Sequence, residues 1–269
     1  MKTVPAWAIG AASALLLQAG CGPAPQEPAR PQAPPAPPSP APPAPAAPPI
    51  VGRAELLAAV ASAASAAAGG SPTEAEARLA GRRFALRLPF GCLGPQPEAG
   101  AGYAYDPARK TLKVRVRPEA WTDAPWARSL VGTPQTEAIE GFWVRRPWLL
   151  AEACPSAAGD QAAVTAEESP AASPETVGLA RVFEAGGSRL LRRAGRDFEA
   201  TERVLDGEAP PGQGGFRLVL EGRIGAAAGG PIRCQADHPD VRPVCLVIVD
   251  IDRVAFEDAD GRQLAEWRD

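Results

Sequence analysis

Val244-Cys245-Leu246-Val247-Ile248-Val249-Asp250-Ile251-Asp252-Arg253-Val254-Ala255-Phe256 is the stretch on which the fold of this 269-residue chain turns. It is the longest strand candidate in the sequence, and its first residues are apolar on both faces, as a strand buried between neighbours requires. Apolar parity then changes: Val247, Val249 and Ile251 share one face, but after Asp252-Arg253 the series continues at Val254 and Phe256. Side chains alternate strictly along a strand, so a change of parity predicts a bulge or sharp twist at Asp252-Arg253.

A central strand needs partners, and the surrounding sequence offers them. Upstream, Phe216, Leu218, Leu220 and Ile224 fall on one face of a second strand, and downstream Asp258-Ala259-Asp260-Gly261 carries the turn chemistry of a hairpin. Further back, Phe84, Leu86 and Leu88 alternate with Ala85, Arg87 and Pro89, and Leu112, Val114 and Val116 alternate with Lys113, Arg115 and Arg117. Both read as half-buried strands. Asp106-Pro107 between Tyr103 and Thr111 predicts one hairpin turn, and Gly186-Gly187-Ser188 predicts another. Glu55 to Ala68 reads as a helix with one apolar edge of Leu56, Leu57 and Val60, stopped by Gly69-Gly70. Ser71-Pro72-Thr73-Glu74 offers a capping box for a second short helix ending near Ala80. The expected fold is mainly β with short N-terminal helices (α+β), an antiparallel β sandwich or barrel-like domain. Its strands group into a first β region at 82–155 and a second at 177–269, as one domain or two subdomains, joined by a loop at 156–176 and preceded by a helical segment at 51–81.

The start of the chain has a different character. Met1-Lys2 is a short positive region, Ala6 to Leu17 an apolar run too short to span a bilayer as a helix, and Leu17-Gln18-Ala19-Gly20-Cys21 follows. This order of charge, apolar run, small residues and cysteine resembles the lipobox signal of bacterial lipoproteins, with Gln18 standing where that class usually has Leu, Val or Ile. The resemblance covers about the first 22 residues and implies cleavage before Cys21, so that 1–20 is the signal peptide. It further implies acylation of Cys21 with palmitate-type chains, which would hold the protein on a membrane without spanning it. Gly22, where an Asp would signal inner-membrane retention, implies the periplasmic side of the outer membrane. From Pro23 to Pro49 the chain is almost only Pro and Ala, so 21–50 reads as the lipidated cysteine plus an extended spacer. In polyproline II geometry of ~3.1 Å per residue that spacer reaches on the order of 80 Å.

With Cys21 assigned to lipid, Cys92, Cys154, Cys234 and Cys245 remain, an even set that implies two disulfides in an oxidising compartment. Cys234 and Cys245 flank a short Asp/Pro loop between adjacent strands, so pairing them is expected and leaves Cys92 with Cys154. There is no CxxC spacing and His238 is the only histidine, so no metal site is expected.

The net charge of −3 supplies no basic field to attract nucleic acid. Charge is uneven, however, and Lys113, Arg115 and Arg117 must share one strand face if Leu112, Val114 and Val116 face the core. Three like charges there need carboxylates or an anionic ligand opposite them. Trp121, Trp126, Trp143 and Trp148, interleaved with Arg128, Arg145 and Arg146, fall within 28 residues. Such aromatics form either core or a platform for sugar rings. Together with the basic face they are the candidate binding residues. Catalytic patterns are weak: no G-x-S-x-G exists, His238 is the sole imidazole, and Asp250 and Asp252 are paired carboxylates beside Arg253, which offers them a plain ionic partner. Asp258, Asp260 and Gly261 lack the spacing of a calcium loop. The sequence therefore reads as a cofactor-free, non-enzymatic binding or structural module of the cell envelope, with a membrane, an envelope protein or a glycan as partner. The alternative is a periplasmic hydrolase using the paired carboxylates.

Overall fold

The computed structural model describes residues 48–69, 77–145, 150–154, 175–205, 212–226, 229–236, 238 and 240–268. The expected lipobox, the Pro/Ala spacer up to residue 47, the expected capping box at Ser71 to Glu74, Trp148 and nearly all of the 156–176 loop lie outside those residues. Residues 47–269 form one compact unit.

The mainly β expectation holds: two sheets, mostly antiparallel and not closed into a barrel, pack as a sandwich-like α+β fold. In chain order the elements are α1 (Arg53–Ala67), β1 (Arg83–Phe90), β2 (Ala101–Asp106), β3 (Thr111–Val116), β4 (Glu119–Ala120), α2 (Pro125–Val131), β5 (Thr136–Trp143), β6 (Val177–Glu184), β7 (Phe198–Arg203), β8 (Phe216–Ile224), β9 (Ile232–Gln235), β10 (Val244–Asp258) and β11 (Gln263–Arg268).

β10, the stretch that opened the sequence reading, is the spine of an eight-stranded sheet ordered β1-β8-β10-β6-β5-β4, with β9 and β11 also paired to it. Its N-terminal half lies between β9 and β6, and its C-terminal half lies between β8 and β11. The changeover coincides with a register shift against β8 between Ile251 and Arg253, where the change of parity places it. Fifteen residues span both halves, so Cys245, Val247, Val249, Ile251, Val254 and Phe256 are all buried in one core. The pairing of β10 with β6 is parallel, the exception in an otherwise antiparallel sheet.

The smaller sheet, β2-β3-β7, covers that core from the other side. Phe198 of β7 packs edge-on against Trp267 of β11 at 5.0 Å, and Tyr103 of β2 against Phe216 of β8 at 4.9 Å. Edge-to-face geometry suits the ring quadrupoles and adds to the area these side chains bury. The 82–155 and 177–269 regions interleave in both sheets, since β1 pairs with β8, β5 with β6 and β3 with β7.

The β2–β3 and β10–β11 hairpins form as expected, each steadied by an aspartate that accepts backbone N–H groups in its turn: Asp106 from Ala108 and Arg109, Asp258 from Asp260 and Arg262. The hairpin expected at Gly186-Gly187-Ser188 does not form. The chain turns there, with Gly187 N–H donating to the Glu184 carbonyl, but β6 pairs with β5 and β10 whereas β7 pairs with β3 in the other sheet. Residues 185–197 are thus a crossover. Glu140 of β5, only 7% exposed, holds it by accepting the Arg193 and Ala194 N–H groups at 2.8 and 2.7 Å.

α1 sits against β9, β10 and β1 and buries Leu56, Ala59, Val60 and Ala63 in the main core. No helix among the described residues is long and apolar enough to cross a membrane.

Candidate functional site

Both disulfides form as expected, Cys92 with Cys154 and Cys234 with Cys245. The second joins directly opposed residues of β9 and β10. Cys21 lies outside the described residues.

Three of the four tryptophans of the proposed platform come together. Trp121 N–H donates to the Ile139 carbonyl, which lays its ring on the sheet over Gly141 and Gly178. A Cβ at Gly141 would overlap both the Leu179 carbonyl oxygen and the Trp121 ring, so only glycine permits this approach. Pro125 starts α2 and seats Trp126, which stacks on Trp143 with ring centroids 6.0 Å apart and planes 19° from parallel. Trp121 meets both edge-on, at 6.0 and 4.9 Å. With Ala127, Val131, Ile139, Ala180 and Leu246 they make a second small core on the sheet face away from the main one. Trp121 is buried and the other two half-buried, so these rings spend most of their surface on one another and on α2.

The basic strand face is answered by acids. Lys113 pairs with Glu199 at 2.9 Å, and Asp197 accepts from Arg117 at 2.6 Å while standing 3.4 Å from Arg115. The hydrogen bond from Arg117, with the charges of Arg115 and Lys113 behind it, holds the Asp197 carboxyl below its usual range.

The paired-carboxylate site does not assemble. Asp252 is bound by Arg83 at 3.1 Å, and Asp250 is exposed in register with Arg223. Arg253, the partner anticipated for them, instead pairs with Glu221 at 2.6 Å and Glu266 at 2.7 Å. The bulge explains the difference, because Arg253 faces Glu221 once the register shifts. Arg83, Arg87 and Arg253 with Asp252, Glu221, Glu257 and Glu266 make an ion-pair lattice on the outer side of the sheet. The His238 side chain meets the exposed Asp240, with Nδ1 3.4 Å from its carboxylate, and among the described residues no nucleophile is bonded to it. Among the described residues no three His, Cys, Asp or Glu side chains converge to hold a metal ion.

What the structure adds is a trough along α1. A cavity of about 520 Å³ lies between Leu57, Val60, Ala61 and Ala64 of the helix, with Ala68 at its C-terminal cap, and Leu150, Val177, Val241 and Pro243 opposite. It continues past Leu57 and Leu150 into a second hollow of about 500 Å³ bounded by Arg53 and Glu152. Arg53 itself is buried and donates to the Arg87 carbonyl, and desolvation lowers its pKa.

Compared with known proteins, the chain matches no family model, no curated protein and no solved structure.

The sequence reading missed the trough, although a signal for it was present. The single apolar edge expected for the helix is two: Leu56, Ala59, Val60 and Ala63 point into the core, while Leu57, Ala61, Ala64 and Ala68 run along the open side. The signal is the lack of any charged residue from Leu56 to Ala68, since a helix with one solvated face carries charge there.

Proposed function

We propose that this chain is a lipid-anchored envelope lipoprotein that displays a non-enzymatic binding module on the periplasmic side of the outer membrane. One observation carries the proposal: the described cysteines are joined as two disulfides, so of five cysteines only Cys21 is left over, and it stands behind Leu17-Gln18-Ala19-Gly20. Two disulfides suit an oxidising compartment, and a single remaining cysteine at that position suits acylation. The Pro/Ala spacer from Pro23 to Pro49 then lets the module stand away from the bilayer. A binding role is supported by the open apolar trough, while Arg83 takes Asp252 and, among the described residues, no nucleophile is bonded to His238, which weighs against the hydrolase reading.

The test is metabolic labelling with a clickable palmitate analogue, read on the denatured chain so that only covalently attached label counts, with fractionation in parallel, in chains bearing Cys21 or Cys21→Ser. The native chain is expected to take label and sediment with outer membranes, and Cys21→Ser to lose both properties. A labelled, membrane-held Cys21→Ser chain would refute the anchor.

A further inference from the structure

We propose that the trough along α1 binds a long-chain fatty acid, with the acyl chain between the helix and Leu150 and Val241 and the carboxylate at Arg242. The inference rests on reading the domain as a binding module; it does not depend on the anchor at Cys21.

The shape of the trough follows from the helix. α1 has 15 residues and at ~1.5 Å per residue extends about 22 Å. Its open side presents Leu57, Ala61, Ala64 and Ala68 in one line, three of them reduced to a methyl group, so the helix backs a furrow. The opposite wall carries two of the large apolar side chains the fold leaves in solvent: Leu150, 82% exposed, and Val241, 49% exposed. Leaving such residues open along an apolar cavity loses burial that a chain of methylenes would restore. The cavity near Val241, about 520 Å³, falls in the range of small-molecule sites, and its lining is mostly apolar with few polar groups, the composition such sites share.

Charge orients the ligand. Arg242 borders the trough, is exposed, and makes no ion pair among the described residues, unlike the arginines of the lattice on the outer face of the sheet. Asp240 stands on the same rim with His238 beside it, which restricts the anion to the guanidinium side. At the other end Arg53 already serves the Arg87 carbonyl and Glu152 supplies a negative charge, so an anionic head group is disfavoured there. One guanidinium for one carboxylate fits a fatty acid.

The experiment titrates palmitate into the full-length chain carrying Cys21→Ser by isothermal calorimetry below the micellar range, with hexadecanol and phosphatidylglycerol vesicles in parallel. Expected is saturable uptake of about one palmitate per chain, weakened about tenfold by Ala64→Phe, which fills the furrow. Arg242→Gln should weaken palmitate about fivefold while leaving hexadecanol unchanged, because only the charged head uses the guanidinium. Leu57→Ser with Val241→Ser gives a second test should Ala64→Phe fail to fold. No saturable uptake, or unchanged affinity in a folded Ala64→Phe chain, would overturn the proposal. So would a dimer that Ala64→Phe dissolves without any palmitate uptake, which assigns the trough to a second copy, or vesicle binding that palmitate does not displace, which assigns it to a bilayer surface. Membrane release of Cys21→Ser reports on the anchor and palmitate uptake on the trough, so each reading can fail alone.

Discussion

Replacing Glu140 should loosen the crossover between the two sheets more than any other single polar change. The carboxylate accepts two backbone N–H groups, from Arg193 at 2.8 Å and Ala194 at 2.7 Å, both in the short range of charge-assisted bonds, and it is 7% exposed. Such bonds contribute about 1.5–3 kcal/mol each, and a buried donor left unpaired costs about 1–3 kcal/mol. Glu140→Gln keeps one accepting oxygen but turns an NH₂ toward the second amide, so one bond is lost and a donor meets a donor, for about 2–3 kcal/mol. Glu140→Ala strands both amides, each at about 1–3 kcal/mol, for about 2–6 kcal/mol in all. Urea unfolding followed by tryptophan emission gives the totals. Hydrogen exchange at the Arg193 and Ala194 amides gives the local effect, with protection in the native chain and its loss at one or both amides in the variants. A Glu140→Gln chain within about 0.5 kcal/mol of native, or unprotected amides in the native chain, would refute the clamp.

Three further outcomes follow from the same structure. Asp197 titrates below its usual range because Arg117 donates to it, so its contribution is present above the unfolded carboxylate pKa of about 3.9 and is lost as pH falls through the lower folded value; Asp197→Asn should flatten acid unfolding in that window. Removing Cys92–Cys154, which closes 62 residues, should destabilise by about 4 kcal/mol against about 3 kcal/mol for Cys234–Cys245, which closes 11, measured by urea midpoints of the two double Cys→Ala chains. Gly141→Ala drives a methyl group into the Leu179 carbonyl and the Trp121 ring, so a loss of about 1–3 kcal/mol with a red shift in tryptophan emission is expected, and an unshifted spectrum at native stability would contradict the packing.

The sequence was most legible where a signal is local and periodic. The parity change at Asp252-Arg253 located the bulge of β10 because a strand has no other way to keep its apolar residues on one side. Asp106 and Asp258 marked the two hairpins through their own hydrogen bonds to the turns. Gly186-Gly187-Ser188 carries equally good turn chemistry and misled, because a turn dictates a change of direction and leaves the partner of the next strand open. β7 found β3, more than eighty residues earlier, and no local pattern encodes that choice. The candidate site divided in the same way. The acids opposite Lys113, Arg115 and Arg117 come from the neighbourhood of β7, and the arginine of Asp252 comes from β1, so both pairings depend on topology. The trough stayed hidden because alanine is a good helix former whether or not it faces water, and only the lack of charge from Leu56 to Ala68 betrayed it.

Because β10 pairs with four other strands along its length, it also sets when this protein becomes a protein. β1 and β8, at one end of the sheet, meet β6, β5 and β4, at the other, only through β10. A growing chain that has not yet produced Val244 to Asp258 has two unjoined halves of a sheet and an open core. Non-local pairings of this kind close slowly, since the entropy of long loops must be overcome before the contacts that reward it exist. On the export route proposed above, that delay would let the chain reach a translocation channel still unfolded, and its structure would close only on the far side, where its cysteines can be oxidised.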